Sequence, residues 1–382
     1  MKIDTSELLY KVFTIINTIV PKSSKSIFIY DGPYMRQNCW ALLKYLADNQ
    51  YNDQYKITYY TNKQIKTKYK GVKNVFITSS LIKGAVARVR SKFIFFEYNN
   101  YKFNAKRHRN QVSFNIWHGM LIKKIGYLAG NKPQHPYEND YTYVLTTADY
   151  FHPYIKSAFN LSDDQLYTGG YPRNDFLKCE KPNSKHIWKG WKNYLWMPTF
   201  RKSTKNGLID TEVELPIVTE KNIDELDFFL AANRVHIIIK SHPFQDRIEW
   251  LQNSSYQSIT VLSNTDIFGE GFELYEFVSQ VDGLITDYSS IIFDFLLTGK
   301  PILVAMDDFE DYKKNRGIVD ETVYERLNVP IASDIEMFKT LIVHGMISKD
   351  LKEIKKLQDI FCNTSHSGSF SKDIIDFLNI PK

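Results

Sequence analysis

Gly283–Phe295 reads GLITDYSSIIFDF, and this stretch decides the fold. A short apolar run leads into Thr, Asp and two Ser residues, and a second apolar run at helical spacing follows. This order is typical of a buried parallel strand that turns directly into a covering helix. The stretch therefore predicts an α/β fold, because a parallel sheet needs helices on its faces.

The same alternation continues on both sides of this stretch. The first half of the chain predicts strands at Ser26–Tyr30, Tyr55–Tyr60, Asn74–Thr78, Lys92–Phe96, Ser113–Trp117 and Tyr141–Leu145, and helices at Cys39–Asn49, Leu81–Arg90 and Asp149–Phe159. The second half predicts strands at Asn193–Met197, Val235–Lys240, Gly283–Thr286 and Pro301–Ala305, and helices near Lys221–Ala232, Glu273–Gln280 and Ser290–Leu297. Only helices are expected from Asp334 to Leu378, and one of them is a candidate to cross back and brace the first domain.

Polar, strand-poor residues 178–192 are the expected linker between two domains. We predict an amphipathic N-terminal helix in residues 1–25, an N-terminal α/β domain in residues 26–178 and a C-terminal α/β domain in residues 192–382. In two Rossmann-like domains that face a cleft, a ligand is expected at the carboxyl ends of the strands.

Length and composition agree with two folded domains. The 382 residues exceed what one hydrophobic core usually serves, and 43% hydrophobic content excludes a disordered chain. The cysteines Cys39, Cys179 and Cys362 lack the spacing of a metal site or a disulfide framework, which favours a reducing compartment. No apolar window is long enough to span a membrane. Asp4 and Glu7 stand where a signal peptide is cationic, so export by that route is not expected.

The N-terminal segment has apolar residues at helical spacing, with lysines beside them: Leu8, Leu9, Val12, Ile15, Ile16 and Ile19. Such a helix either packs on a domain or lies on a lipid interface, and the sequence leaves both open. The formal net charge is +6, and thirteen Lys and Arg residues fall between Lys63 and Arg109 beside the single acid Glu97. This basic segment predicts an anionic partner such as a lipid surface, or else an ordinary solvated face. No nucleic-acid-binding motif accompanies the charge, so nucleic acid is not an expected partner.

Two histidines follow predicted strands. His118 stands in the segment FNIWHGM, before Lys123 and Lys124, and His242 follows Lys240 and Ser241 in IIIKSHP. A histidine at a strand end has two interpretations, a structural hydrogen-bonding residue or a general base that titrates near neutral pH. One such histidine from each domain makes the second interpretation as well supported as the first, and the sequence leaves both open.

Phosphate contacts are expected in three other segments. Thr286, Asp287, Ser289 and Ser290 present hydroxyls and a helix start to one point, although helix capping alone would also explain them. Arg173 in GYPRND and Arg201 in PTFR each follow a turn and are suited to bidentate phosphate contacts, or to surface ion pairs. Neither a P-loop nor a dinucleotide fingerprint is present.

Taken together, five segments in this order resemble the CDP-glycerol glycerophosphotransferase family of wall teichoic acid primases and polymerases. They are WHG with the downstream KKIG, GYPRND, PTFR, the His-Pro after a strand, and TDYSS with FDF. The resemblance implies a two-domain GT-B-like fold that is peripheral on the cytoplasmic face of the cell membrane, with residues 26–178 on the acceptor and membrane side and residues 192–382 binding the donor. It also implies transfer of a polyol phosphate from a CDP-activated donor, most simply CDP-glycerol, to a lipid-linked or polyol-phosphate acceptor, with release of CMP.

By this resemblance, His118 and His242 are the catalytic pair, with His118 preferred as the base. Arg201, Thr286, Asp287, Ser289 and Ser290 are the donor phosphate residues, assisted by Arg173 or Lys240. No metal site or cofactor is predicted, although Asp287 leaves a divalent ion open. Met120-Leu121-Ile122 after WHG and Lys240-Ser241 before His242 depart from the family pattern and leave the polyol undecided.

Three alternatives remain open from the sequence. The donor is CDP-ribitol in the first, and a nucleotide sugar on a glycosyltransferase of the same fold in the second. The third is a non-catalytic binder of anionic polymer or lipid. The chain length favours a priming enzyme or a minimal polymerase, in a wall or capsule pathway.

Overall fold

The structure is a computed structural model that describes residues 5–32, 36–62, 65, 67–98, 103, 105–131, 140–178, 180–199, 202–203, 208–209, 215–240, 249–252, 255–347 and 349–382. These residues form two compact units, each with its own parallel sheet. The first unit comprises Met1–Gly119, Ile125–Asp175 and Asn363–Lys382, and the second comprises Met120–Lys124 and Phe176–Cys362. Within the described residues, no helix has the length and hydropathy needed to span a bilayer.

The first unit alternates strands and helices along the chain. Its elements are α1 (Thr5–Ile19), β1 (Ser23–Tyr30), α2 (Asn38–Asp48), β2 (Lys56–Tyr60), β3 (Val75–Thr78), α3 (Leu81–Arg90), β4 (Ser91–Phe96), β5 (Val112–Asn115), β6 (Tyr143–Thr146), α4 (His152–Phe159) and β7 (Leu166–Thr168).

The seven strands of the first unit form one parallel sheet in the order β3-β2-β1-β4-β5-β6-β7. The central strands are continuous apolar runs, Ile27–Tyr30 in β1 and Phe93–Phe96 in β4, and both runs are buried. Burial on both faces is the reason that these strands show no polar alternation. The chain order reverses between β1 and β4, and in such sheets this switch point is where ligand-binding loops gather.

The second unit repeats the same plan. Its elements are β8 (Lys192–Met197), β9 (Lys202–Ser203), β10 (Leu208–Ile209), α5 (Ile223–Ala232), β11 (Val235–Lys240), α6 (Glu249–Gln252), β12 (Ile259–Leu262), α7 (Asn264–Gly269), α8 (Leu274–Val278), β13 (Gly283–Thr286), α9 (Ile291–Phe295), β14 (Ile302–Ala305), α10 (Phe309–Arg316), α11 (Val323–Leu327), β15 (Ile331–Ala332), α12 (Ile335–Thr340) and α13 (Leu351–Phe361). A final helix, α14 (Phe370–Phe377), lies in the first unit.

The second sheet is also parallel, in the order β12-β11-β8-β13-β14-β15, with its switch point between β8 and β13. Its core is built on Trp196, Ile237 and Ile285 from three adjacent strands, against Leu226 and Leu230 of α5. The small antiparallel pair β9 and β10 stands apart from this sheet.

The predicted α/β class with two parallel sheets and an N-terminal helix is confirmed. The strand at Val235–Lys240 and the helix at Leu81–Arg90 have the predicted bounds. The short edge strands β7, β12 and β15 were not predicted, because a run of two to four half-exposed residues has little periodicity to read. Residues 363–382, which the linker-based boundaries assign to the C-terminal domain, pack in the first unit.

The N-terminal helix α1 is seated by a polar residue. Asn17 is buried and donates to the side chain of Gln111 at 2.9 Å and to the carbonyl of Lys106 at 2.8 Å. The apolar residues at helical spacing face outward instead, with Ile15 61% and Ile19 71% exposed. The described side chains of α1 therefore leave an apolar stripe on the surface of the first unit.

Candidate active site

The sequence places His118 at the end of a strand, and the structure puts it directly after a sharp change in backbone direction. β5 ends at Asn115, and Trp117 adopts the left-handed conformation with φ 57°. A bulky residue rarely takes this conformation without a functional reason. The side chain of Asn115 fixes the turn by accepting the Trp117 N–H at 2.9 Å.

A hydrogen bond to the neighbouring strand-end loop orients the imidazole of His118. Its Nδ1 lies 2.9 Å from the backbone carbonyl oxygen of Glu97, directly after β4. A carbonyl oxygen only accepts, so Nδ1 carries the hydrogen in this bond. The basic nitrogen of the neutral ring is then Nε2, which is the arrangement that a general base requires.

Aromatic rings enclose His118 on two sides. The Tyr98 ring stacks on the imidazole with centroids 4.3 Å apart and planes 17° apart, and the Trp117 ring centroid is 4.0 Å away. Room for Tyr98 depends on Gly32, because a Cβ at that position would lie 1.9 Å from the tyrosine Cδ2. Gly32, directly after β1, therefore allows the Tyr98 ring to stack on His118.

Arg173, which the sequence predicts as a phosphate contact, is buried and supports the backbone of the His118 loop. Its Nη1 donates to the carbonyl oxygen of His118 at 2.8 Å and to the side chain of Gln37 at 3.3 Å. Its backbone N–H donates to Asn38 at 3.2 Å, while Asn38 Nδ2 donates to the Trp117 carbonyl at 2.7 Å. Arg173 and Asn38 together hold both residues of the turn.

Sequence reasoning missed two buried acids beneath this loop, Asp31 after β1 and Glu97 after β4. Glu97 Oε2 accepts the Asn38 N–H at 2.9 Å and the Cys39 N–H at 3.4 Å at the start of α2. Burial raises the pKa of Asp31 to about 6 and also raises the pKa of Glu97. The available signal was position: each acid follows a central strand at the switch point, and Glu97 is the single acid in a basic segment.

The second unit brings part of the predicted phosphate set to one sheet edge. Thr286 ends β13 and donates its hydroxyl to the Met197 carbonyl, at the end of the adjacent β8, at 3.0 Å. Asp287 is fully buried and accepts the Thr199 N–H at 2.7 Å. Thr286 and Asp287 therefore lock the β8 and β13 loops together at the switch point.

Ser289 and Ser290 follow on the same loop and are half-buried. Ser290 occupies the N-terminal position of α9, and within this fully described helix its side chain makes no capping hydrogen bond. Ser290 therefore does not cap α9 with its side chain. The predicted helix Ser290–Leu297 consists of the short α9 followed by a 3₁₀ turn, Leu296–Thr298.

Lys240 ends β11, which is the other neighbour of β8, so it lies at the same sheet edge as Thr286. Its side chain is buried, and burial lowers its pKa to about 8. His242 and Arg201, predicted from the sequence beside these residues, lie outside the described residues.

The described residues contain no cluster of metal ligands. No three of their His, Cys, Asp or Glu side chains come close enough to hold a metal ion. Asp287, the acid that the sequence left open for a divalent ion, directs a carboxylate oxygen at the Thr199 amide.

Comparison with known proteins assigns the chain to a family. The sequence profile described as CDP-Glycerol:Poly(glycerophosphate) glycerophosphotransferase matches residues 12–378. The chain belongs to this family. The glycerophosphotransferase family resemblance predicted from the five motifs is confirmed, and the protein is a phosphotransferase of the polyol-phosphate class.

The curated relatives of this chain are named for two different polyols. A teichoic acid ribitol-phosphate primase of Bacillus spizizenii is 25% identical over 72% of this chain and 70% of its own length. A teichoic acid poly(glycerol phosphate) polymerase of the same organism is 23% identical over 97% of both chains. A teichoic acid glycerol-phosphate primase of Bacillus subtilis is 27% identical over 63% of this chain and 58% of its own length.

Solved structures support the fold. The wall teichoic acid polymerase TagF superposes with a TM-score of 0.72 at 18% identity, covering 98% of this chain and 92% of that chain. A further structure of TagF was obtained with CDPG. The UDP complex of Staphylococcus aureus MnaA has a TM-score of 0.53 at 11% identity, over 94% of this chain and 98% of that chain. These likenesses place the chain with TagF in fold.

Proposed function

We propose that this protein transfers glycerol phosphate from CDP-glycerol to an acceptor hydroxyl and releases CMP, in the synthesis of a teichoic acid or a related capsule polymer. The acceptor oxygen forms a bond to the phosphorus that carries the glycerol. The bond from that phosphorus to the bridging oxygen breaks, and CMP leaves with the electron pair. The hydroxyl proton passes to a base.

The base is His118, and one observation carries this assignment. The hydrogen bond from Nδ1 to the Glu97 carbonyl fixes the tautomer and leaves Nε2 as the basic atom. The bonds that Arg173 and Asn38 make to the His118–Trp117 backbone hold the ring in place, as pre-organised catalysis requires. A positioned base of this kind typically contributes roughly 10²–10⁴-fold to the rate.

The donor phosphates are assigned to the sheet edge of the second unit. The hydroxyls of Ser289 and Ser290 and the cationic Lys240 supply donors for a diphosphate, and Thr286 positions their loop. The family motifs add His242 and Arg201 to this set by position in the sequence. Asp287 is given a loop-fixing role, since its carboxylate accepts a backbone amide and would repel phosphate.

CDP-ribitol is the second candidate donor, because the first-mentioned relative is a ribitol-phosphate primase. CDP-glycerol is preferred over CDP-ribitol as the donor, because the alignment with the poly(glycerol phosphate) polymerase covers 97% of both chains. The two donors differ by two CHOH groups, so the readout is the ratio of their kcat/KM values.

The acceptor is proposed to be lipid-linked, with the apolar stripe of α1 lying on an anionic membrane surface. This stripe consists of Leu9, Val12, Ile15, Ile16 and Ile19. The helix α3 packs against α1 and exposes three more apolar residues, Leu81, Ile82 and Val86. Lys11, Lys83 and Arg90 on the same two helices are exposed and supply positive charge. Apolar and basic groups together favour the interface of anionic lipids. This surface gives the protein a peripheral place at the cytoplasmic face.

CMP release tests the reaction. Wild type, His118→Asn and His152→Asn are assayed with CDP-glycerol, CDP-ribitol and a UDP-sugar, each with a lipid-linked acceptor and without it. His152 is the matched control, a histidine at the start of α4 whose Nε2 lies 2.9 Å from the hydroxyl of Thr168. Acceptor-dependent CMP from CDP-glycerol that falls at least about 10²-fold in His118→Asn alone supports the proposal. Equal activity of both variants removes His118 as the base.

Vesicle sedimentation tests the membrane surface. Ile15→Ser with Ile19→Ser is compared with Phe228→Ser, a residue of α5 that is equally exposed in the second unit. Loss of binding to phosphatidylglycerol vesicles in the α1 variant alone is expected. Binding that survives in the α1 variant contradicts the lipid contact and leaves the chemical proposal untouched.

A further inference from the structure

Two carboxylic acids meet in the interior of the first unit, at the switch point of its sheet. Asp31 follows β1, Glu97 follows β4, and both side chains are completely buried. Both carboxyl oxygens of Asp31 and Oε1 of Glu97 are buried and receive no hydrogen bond from a conventional donor of the described residues, and the two carboxyls are near enough to shift each other's pKa. Two ionised carboxylates offer only acceptors, so a close contact between them needs a proton on one of the two.

The charged surroundings of the pair do not offset the cost of burying two carboxylates. The charged and titratable groups that face it are Arg36 before α2, Cys39 on α2, Tyr59 on β2 and Arg173 in the 172–178 turn. Arg173 is already hydrogen-bonded to the His118 carbonyl and to Gln37. Burial raises the pKa values of both acids. Asp31 raises the pKa of Glu97 further, whereas the hydrogen bond with Glu97 lowers the pKa of Asp31, which is the pattern of a pair in which Glu97 carries the proton.

Glu97 connects this pair to the histidine through both its backbone and its side chain. Its carbonyl oxygen accepts from His118 Nδ1 at 2.9 Å, and its Oε2 accepts from the Asn38 and Cys39 amides. Asn38 in turn holds the Trp117 carbonyl. Any shift of the Glu97 side chain therefore moves two of the bonds that orient His118.

We propose that Asp31 and Glu97 share a single proton and act as a positioning pair for His118. The shared proton keeps the two carboxyls together, and the remaining negative charge anchors the start of α2, where helix amides and the helix dipole favour an anion. Loss of that proton places two buried negative charges side by side, which drives the Glu97 loop away from His118. The pair is a positioning device that rests on the proposed role of His118 as the base.

Infrared spectroscopy of the protein without substrate tests the shared proton directly. At pH 7 exposed carboxyls are ionised, so a C=O band of a protonated carboxyl reports a buried acid. Wild type is expected to show this band. Burial favours the protonated form of a lone acid as well, so Asp31→Asn is expected to keep a band but to shift it to higher frequency, because the proton on Glu97 then has no carboxylate partner, and the double variant Asp31→Asn with Glu97→Gln is expected to lack it. Absence of the band in wild type overturns the proposal. A band that keeps its wild-type frequency in Asp31→Asn means that Glu97 holds its proton alone, which also overturns the sharing.

Kinetics test the positioning role. Glu97→Gln keeps an acceptor for the Asn38 amide and is expected to retain most of kcat near neutral pH, with a flatter alkaline limb than wild type. Glu97→Ala is expected to lower kcat about 10²-fold, as small misplacements of a base do. The control is Asp227→Asn, which removes a buried carboxylate bonded to the Gln257 and Ser258 amides at 2.8 Å in the second unit. It should lower Tm and leave the pH profile unchanged.

The outcomes separate the two proposals. An alkaline limb that is identical in wild type and Glu97→Gln contradicts the positioning pair, whatever the value of kcat. Full activity of His118→Asn contradicts the base assignment, whereas the infrared result still reports on Asp31 and Glu97 by itself.

Discussion

Gly32→Ala is the sharpest test of how the histidine is held, because one added methyl group acts on one ring. A Cβ at Gly32 would lie 1.9, 2.3 and 2.9 Å from Cδ2, Cε2 and Cγ of Tyr98. Ordinary carbon contacts need about 3.5–4.0 Å, so the ring has to retreat by roughly 1.5–2 Å. Tyr98 is the ring that stacks on His118 with centroids 4.3 Å apart.

The size of the effect follows from this displacement. The Tyr98 ring cannot retreat by that distance and still stack on an imidazole that a hydrogen bond to the Glu97 carbonyl fixes in place. A misplacement of that size costs about 10²-fold in rate, and overpacking costs roughly 1–3 kcal/mol in the free energy of unfolding. We expect Gly32→Ala to lower kcat about 10²-fold, with KM for the donor nearly unchanged, since the donor is assigned to the second unit.

The assay is steady-state CMP release, with Tm measured by circular dichroism on the same samples. Gly269→Ala is the matched control, because a Cβ there meets no atom within 4 Å. Tyr98→Ala and the double variant complete a cycle: once the ring is removed, the added methyl group of Gly32→Ala should cost little more. Wild-type kcat in folded Gly32→Ala would refute the reasoning. A full further loss on the Tyr98→Ala background would show that Gly32 acts by another route.

Three further predictions concern groups outside the histidine turn. Burial lowers the pKa of His236 to about 3. Below pH 6.5 the unfolded chain therefore binds a proton at this histidine that the folded protein does not bind. The free energy of unfolding should fall by about 2 kcal/mol from pH 6.5 to 5 in wild type, and much less in His236→Gln. Asp175 accepts from Ser369 and from the Phe370 and Ser371 amides at 2.7–3.0 Å, so Asp175→Asn should cost roughly 1–3 kcal/mol and speed amide exchange in α14. Burial lowers the pKa of Lys240 to about 8, so KM for CDP-glycerol should rise as the pH rises through 8 in wild type and stay flat in Lys240→Arg.

Each of these has an outcome that contradicts it. Urea unfolding of wild type with the same free energy at pH 6.5 and 5 removes the His236 argument. Exchange in α14 that is unchanged by Asp175→Asn shows that the helix is held by its apolar face alone. A KM that does not change between pH 7 and 9 in wild type removes Lys240 from the donor site.

The sequence predicted the central elements well because their physics is local. A run such as Val235–Lys240 is buried on both faces, so its apolar composition alone marks it as a strand. Edge strands such as Leu166–Thr168 were not predicted, because half-exposed residues show no clear alternation of apolar and polar side chains. The C-terminal helix α14 has an apolar face that the sequence shows, but its choice of the first unit depends on the Asp175 carboxylate, 194 residues or more away.

For the site, motif order predicted the family, which is confirmed, and the structure places His118, Thr286 and Lys240 at or directly after strand ends as expected; their roles stay predictions. Sequence could not assign Arg173, because a buried arginine that supports a backbone carbonyl and one that binds phosphate look the same in GYPRND. It also passed over Glu97, which stands in a basic segment as an apparently ordinary surface acid. The roles of His242 and Arg201 stay predictions from the motifs.

The sequence by itself determined the α/β class, the two parallel sheets and the family, since strand periodicity and short motifs are properties of neighbouring residues. Tertiary structure alone decided which groups meet. Asp31 and Glu97 are 66 positions apart, and they come together because β1 and β4 are adjacent at the point where the sheet order reverses. That juxtaposition removes both acids from water, and the loss of hydration turns two ordinary carboxyls into a coupled pair beneath His118.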